Sequence, residues 1–274
     1  MSKKKLSIIW LVIRYGIEKY LLKNFSFFTP SSAGHYKILG FHTEKNINLI
    51  FPLISKLLFN LKFKVKIISA VNFSKINNSR NKSKNLKSFF NKYGSDKSRI
   101  HNYHLIYASL FKHNNKVKNV LEIGLGTSNV NLISNMGKNG KPGASIRAFK
   151  DFFINANIFG IDIDKKILFK ENRIQTFYGD QTNTKELNKI YKKIKKKFDL
   201  IIDDGLHISY ANLSVIISSL CHLKEDGYLI IEDIPFRNKH IWEIISYILK
   251  NKYKNFLVKT NKCYVFVIKN QISI

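Results

Sequence analysis

At 274 residues the chain has room for one α/β domain of about 200 residues and an additional segment. Its 45% hydrophobic and 13% aromatic content supplies a packed core. Two cysteines, Cys221 and Cys263, each in an apolar stretch, exclude a disulfide framework and point to a reducing, cytoplasmic compartment. The formal charge of +29 fits attraction to nucleic acid, anionic lipid or an acidic glycan, and fits as well a general drift toward Lys and Asn.

At the amino end, Lys3, Lys4 and Lys5 precede an apolar run from Leu6 to Ile13. Arg14, Glu18 and Lys19 interrupt it with no small-residue cleavage site, and it falls far short of the ~20 residues that span a bilayer. Leu6, Trp10, Ile13, Ile17 and Leu21 recur at helical spacing, so residues 1–28 predict an amphipathic basic helix. Such a helix packs against the main domain or a second subunit, which leaves a homo-oligomer open, or lies peripherally on an anionic inner-membrane surface. An apolar helical stretch follows around Ile50 to Leu61, then alternation through Phe63, Val65 and Ile67 that suits a strand. Lys75 to Lys87, rich in Asn, Ser and Lys, reads as a linker. It divides the chain into a basic, mainly helical accessory segment, 1–80, and a catalytic domain, 81–274.

In the second part a helix is expected from about His101 to His113, then a strand at Val117 to Ile123. A loop carrying Gly137, Gly140, Pro142 and Gly143 precedes a helix from about Ser145 to Phe153. Further strands are predicted at 158–162, 174–178, 198–202 and 228–231, separated by helices at 184–196, 210–223 and 239–249. This alternation predicts a parallel sheet covered on both faces, a doubly wound, Rossmann-like α/β fold. Phe256 to Thr260 and Tyr264 to Ile268 flank a turn at Asn261 and Lys262, a closing hairpin that makes the last of seven strands antiparallel. A doubly wound sheet with such a hairpin is what class I methyltransferases use.

The segment Asn119-Val-Leu-Glu-Ile-Gly-Leu-Gly-Thr127 organises the rest. Gly124 and Gly126 allow a sharp turn and close backbone approach at the strand's carboxyl end, where open α/β sheets bind nucleotides. Asn129 stands where the dinucleotide fingerprint needs a third glycine, and Glu122 is an acid within the turn motif. Both weaken a phosphate reading and favour a ligand offering a cation or hydrogen-bond donors, such as S-adenosylmethionine; an ordinary strand-to-helix turn is the alternative. Acids also follow the other parallel strands: Asp162, Asp180, Asp203 with Asp204, and Glu232 with Asp233, in a chain with 18 acids against 47 bases. Glu122, Gly124, Gly126, Asp162 and Asp180 form the cofactor half, where the acid after the second strand can take both ribose hydroxyls. Asp204, Glu232 and Asp233, with no basic partner in sequence, would repel unless a cation joined them, and oxygen-only ligands suit Mg²⁺ or another hard divalent ion. The other reading makes Asp203 or Asp204 a helix cap. His207, three residues after Asp204, is placed to act as a general base. His104, His113, His222 and His240 receive no role.

These motifs together resemble the metal-dependent sugar O-methyltransferases of the macrocin and mycinamicin type, whose relatives include cephalosporin-hydroxylase-like proteins. The residues that carry the resemblance are Gly94-Ser-Asp-Lys97, Val120 to Gly126, Gly143-Ala-Ser-Ile-Arg147, Gly160 to Asp164, Gly179-Asp-Gln181, Ile202 to His207 and Gly227 to Asp233. It covers roughly residues 93–235; Ser95 and Leu206 depart from the usual Thr and Ser, and residues 1–80 lie outside it. It implies S-adenosylmethionine bound at the glycine turn, Asp162 and Asp180, with Ser145 of the Gly143 motif placed beside them. It further implies a divalent metal on Asp204, Glu232 and Asp233, with His207 as catalytic base. The expected activity is methylation of a sugar hydroxyl in a polysaccharide, glycolipid or glycosylated metabolite. The loop Asn131 to Gly143 and the segment Tyr93 to Tyr103 would cover the site. The alternatives are an RNA methyltransferase, with nucleic acid ranked behind sugar, and a non-catalytic membrane-associated binding protein of the same fold.

Overall fold

The computed structural model describes Ile50, residues 53–54 and residues 56–271. The expected amphipathic helix of residues 1–28, and with it the membrane and subunit contacts, lies outside the described residues. Among the described residues nine strands form one sheet in the order β1-β8-β9-β7-β6-β2-β3-β5-β4. They are β1 Ile67–Ser69, β2 Asn119–Ile123, β3 Asn157–Asp162, β4 Lys170–Glu171, β5 Ile174–Tyr178, β6 Phe198–Asp203, β7 Leu223–Ile234, β8 Tyr253–Lys259 and β9 Tyr264–Asn270. The helices are α1 Ala70–Ile76, α2 Arg80–Tyr93, α3 Tyr103–Leu110, α4 Ala144–Phe152, α5 Thr184–Ile194, α6 Ser209–Ser219 and α7 Lys239–Leu249.

β2 lies between β3 and β6, parallel to both, and every one of its residues is buried. Such a strand must be apolar on both faces, and its side chains alternate between two cores. Leu121 and Ile123 join Leu187, Val215, Ile241 and Trp242 of α5, α6 and α7. Val120 joins Leu86, Phe90, Tyr107, Phe149 and Phe152 of α2, α3 and α4 on the other side. β9 is antiparallel to both β7 and β8, as the hairpin pattern requires.

Two expectations are corrected. The sheet has nine strands rather than seven, because β1 adds a parallel pairing at the β8 edge and two-residue β4 pairs antiparallel with β5. The linker at 75–87 is largely helical: α1 runs to Ile76 and α2 starts at Arg80. Its lysines and asparagines mostly face outward while Ser79, Ser83, Leu86 and Phe90 are buried, Phe90 packing edge-to-face on Phe149. Thus β1, on the accessory side of the expected division at residue 80, is hydrogen-bonded into the main sheet. No helix among the described residues is long and apolar enough to cross a membrane.

Candidate active site

The carboxyl ends of β2, β3, β5, β6 and β7 share one rim, because register pairs Ile123 with Ile161 and Asp203, and Asp203 with Ile231. After β2 the chain turns through Gly124 and Gly126, at φ +90° and +74°. A Cβ on Gly124 would lie 2.3 Å from the carbonyl oxygen of Asp204, so the turn is pressed against the end of β6. Asp162 accepts hydrogen bonds from the Leu125 N–H at 2.7 Å and the Asp164 N–H at 2.8 Å, and Thr127 donates to Asp164 at 2.6 Å. Burial raises the Asp162 carboxyl above its usual range, against those backbone bonds that lower it. Asp180 accepts from the Thr182 N–H and hydroxyl at 2.8 and 2.7 Å. Beside it Gln181 donates to Asp203 at 3.1 Å and accepts from the Leu206 N–H at 2.7 Å. The loop after the turn folds back over it: Met136 N–H donates to Thr127 O at 2.8 Å and Ser134 to Gly205 O at 2.8 Å.

Beneath the rim the acids do have a basic partner, contrary to the sequence reading. Lys97, 2% exposed, comes from the segment between α2 and α3. Its Nζ lies 2.6 Å from Asp204 Oδ2, 3.2 Å from Glu122 Oε1 and in contact with Glu232 Oε2. Tyr107 donates to the other Glu232 oxygen, and Ser145 donates to Glu122 Oε2 at 2.6 Å. Burial pushes the Glu122 and Glu232 carboxyls up, with Lys97 opposing in both. Burial alone would lower Lys97; Asp204, Glu232 and Glu122 together hold it well above its ordinary value. Glu122 is therefore an internal residue facing Lys97 and Ser145 rather than a wall of the cavity, and Ser145 spends its hydroxyl on Glu122.

A second cluster sits at the ends of β6 and β7. Ligand atoms of Asp204, His207 and Asp233 lie within 4.8 Å of one another, as do those of His101, Asp233 and Cys263. His207 and Asp233 both hold left-handed backbone, φ +54° and +53°, a cost tolerated where side chains must be aimed at a site. His207 Nδ1 is enclosed and lacks a hydrogen-bond partner, which leaves Nε2, 3.9 Å from Asp233 Oδ2, as the nitrogen offered to the cavity. Asp233 is gripped from behind: the Tyr103 hydroxyl donates to Oδ1 at 2.6 Å and His101 Nδ1 lies 3.2 Å away. Burial disfavours the Asp233 charge, but His101 and His207 outweigh it and hold the carboxyl far below its usual range. Burial opposes the charged His101 ring as well; the bonds to Asp233 and Cys263 carry it up to about 10.

All the residues singled out from sequence except Glu122 line one cavity of about 680 Å³: Gly124, Gly126, Ser145, Asp162, Asp180, Asp204, His207, Glu232 and Asp233. Within it the structure groups Asp204 with Asp233 and His207, while both Glu232 oxygens face Lys97 and Tyr107. Sequence reasoning missed Lys97 as counter-charge and Tyr103, Tyr107 and His101 as supports. The one available signal was helical spacing, since Tyr103 and Tyr107 stand one turn apart on α3. Of the histidines set aside, His104 is buried on α3 and His222 stacks on Tyr191 at 4.1 Å.

A cavity at the carboxyl rim of a doubly wound sheet, lined by a glycine turn, together with an antiparallel hairpin that completes the sheet, decides the architecture. The fold is that of the class I methyltransferases. Among solved structures, the MycE methyltransferase from the mycinamycin biosynthetic pathway, in complex with Mg and SAH, is 25% identical with a TM-score of 0.55, matching 68% of this chain and 55% of that one. Among curated proteins, the mycinamicin VI 2''-O-methyltransferase of Micromonospora griseorubida is 36% identical over 92 residues, 34% of this chain and 23% of that protein. The 8-demethyl-8-alpha-L-rhamnosyl tetracenomycin-C 2'-O-methyltransferase of Streptomyces olivaceus is 29% identical over 144 residues, 52% and 36% respectively. The homologues of this class I chain are thus sugar O-methyltransferases. It spans about a quarter to a third of the length of those two curated relatives. No family model matches the chain.

Proposed function

We propose that this chain transfers the methyl group of S-adenosylmethionine to a hydroxyl of a sugar-containing acceptor, assisted by a divalent cation. The observation that carries the reading is the convergence of Asp204, His207 and Asp233 within 4.8 Å at the rim beside the glycine turn. The donor chemistry fits a hard cation: against the four carboxylates of Glu122, Asp204, Glu232 and Asp233 stand the Lys97 ammonium and the His101 ring, and Asp204 and Asp233 still turn carboxylate oxygens to one point of the rim. Asp204 and Asp233 would hold the ion. When bound it would supply a Lewis acid at the acceptor oxygen, and S-adenosylmethionine an electrophilic methyl carbon. Gly124 and Gly126 bring bare backbone to the cofactor, and Asp162 and Asp180 stand where its hydroxyl and amine donors can be met. His207 Nε2 takes the hydroxyl proton as the new O–C bond forms and the C–S bond breaks, and Asp233 stabilises the imidazolium that results. The strained backbone at His207 and Asp233 keeps both groups aimed, which serves a displacement that demands in-line alignment.

The test is methyl transfer from labelled S-adenosylmethionine to glycosylated acceptors, with and without EDTA, for the wild-type chain and His207→Ala. Transfer that EDTA abolishes, and that His207→Ala slows by ~10²-fold or more while cofactor binding persists, is expected. Full turnover in EDTA, or an unchanged rate in His207→Ala, would refute the corresponding assignment.

A further inference from the structure

Lys97 meets three carboxylates that arrive on three different strands: Glu122 on β2, Asp204 after β6 and Glu232 on β7. Asp204 belongs to two sets at once, the ion pair with Lys97 and the cluster with His207 and Asp233. An ammonium and a divalent ion compete for the same carboxylate oxygens, since each neutralises the same charge. We infer that Lys97 is a resident counter-ion which holds Asp204 and Glu232 together when no metal is bound, and which must release them for a divalent cation to bind in full. This rests on the metal reading proposed above.

The local architecture suits a group that can yield. Lys97 is carried by the connection between α2 and α3, outside the sheet, so its withdrawal leaves every strand pairing intact. That connection is anchored by Ser95 N–H to Phe90 O at 2.9 Å and by Tyr103 N–H to Lys97 O at 2.8 Å, so its backbone is held without the ion pairs that Lys97 Nζ makes. Glu122 Oε1 already lies 3.2 Å from Nζ, so the ammonium keeps one carboxylate partner when it lets Asp204 and Glu232 go. Without Lys97, the buried carboxylates of Glu122 and Glu232 and the half-buried one of Asp204 would face one another uncompensated, a strongly destabilising arrangement. Lysine and metal are therefore alternative solutions to one electrostatic problem, and Lys97 weakens metal binding in exchange for a metal-free fold. Glu232 joins Asp204 and Asp233 as a ligand only when the lysine lets it go.

The test uses the full chain, with Mn²⁺ as probe, and compares wild type with Lys97→Met and Lys97→Gln. Binding is followed by calorimetry and stability by thermal denaturation. Removal of one positive charge a few ångströms from a divalent ion is worth about tenfold in affinity even at the dielectric constant of water. The expected result is a Kd for Mn²⁺ at least ~10-fold lower in both variants, with a metal-free Tm below that of wild type that millimolar Mn²⁺ restores. Binding by the variants with none by wild type supports the inference in its strongest form. Wild-type binding that the variants match or fall below would overturn it and leave the metal reading standing. Absence of binding in all three proteins would overturn both. Should neither variant fold even in millimolar Mn²⁺, the ammonium is not exchangeable with an ion and the inference fails.

Discussion

Replacement of Gly124 by Ala tests the claim that the turn after β2 and the end of β6 are one unit. Two costs add at this position. Alanine at φ +90° pays about 1–2 kcal/mol for left-handed backbone. Its methyl would also lie 2.3 Å from Asp204 O and 2.6 Å from Gly205 Cα, backbone atoms that cannot rotate aside, and such overpacking costs about 1–3 kcal/mol. Gly137 supplies the control. Its φ is +72°, but a Cβ there meets nothing within 4 Å, so Gly137→Ala pays the backbone cost alone. At about 2–4 °C per kcal/mol for a domain of this size, Gly124→Ala should lower Tm by on the order of 10 °C and Gly137→Ala by only a few degrees. The same displacement should move Asp204, so Gly124→Ala should lose affinity for divalent metal as well as for S-adenosylmethionine, measured by calorimetry. Equal Tm losses in the two variants, or a Gly124→Ala protein with wild-type metal affinity, would refute the coupling.

Tyr103→Phe keeps the buried ring and removes the hydroxyl that donates to Asp233 at 2.6 Å; loss of a hydrogen bond to a charged group should cost about 1.5–3 kcal/mol in denaturation. Its kcat should fall while S-adenosylmethionine affinity holds, and an unchanged kcat would show that Asp233 needs no support. His104 is held neutral by burial, reinforced by the charge of Lys87, which lowers its pKa to about 4. Its folded value lies below the unfolded one, so this contribution is complete above about pH 6.5 and is lost as pH falls toward 4. Between pH 7 and 5 wild type should lose about 1 kcal/mol more than His104→Gln, after allowance for solvent screening; parallel losses would exclude His104 as the cause.

The strand and helix alternation from residue 117 onward was legible because each element's apolar spacing is local. α7 falls at Lys239–Leu249 in pattern and structure alike, and the strand acids reach one rim because parallel strands end together. What stayed hidden was long-range. Lys97 is 107 residues from Asp204 and 135 from Glu232, and although it ends the Gly94-Ser-Asp-Lys97 motif, nothing in that motif tells which carboxylates it meets. Glu122 looked like a ligand because it precedes the glycine turn. The two-residue period of the strand, however, puts it on the same face as Val120, toward α4, where it is fully buried behind Ser145 and Lys97. Tyr103 and Tyr107 read as part of an apolar face, which their rings are; their hydroxyls reach beyond it to Asp233 and Glu232. α2 was hidden for the opposite reason: it buries Ser83, Leu86 and Phe90, and from Arg80 to Ser88 Leu86 is its single apolar residue.

The arrangement makes the two halves of the candidate site mechanically inseparable. Gly124 touches the end of β6, Asp162 holds the Leu125 N–H in the turn, and Gln181 ties the end of β5 to both Asp203 and Leu206. The groups that would seat a cofactor are thus the same ones that fix the backbone from Asp203 to His207. Rigid coupling of this kind suits methyl displacement, where acceptor oxygen, methyl carbon and departing sulfur must lie in line while the base stays within reach of the hydroxyl proton. It also explains why an internal lysine is useful. A rim held this tightly cannot relax its carboxylates apart when they are unpaired, so the charge must be answered from below, and Lys97 answers it from a segment that the sheet does not constrain.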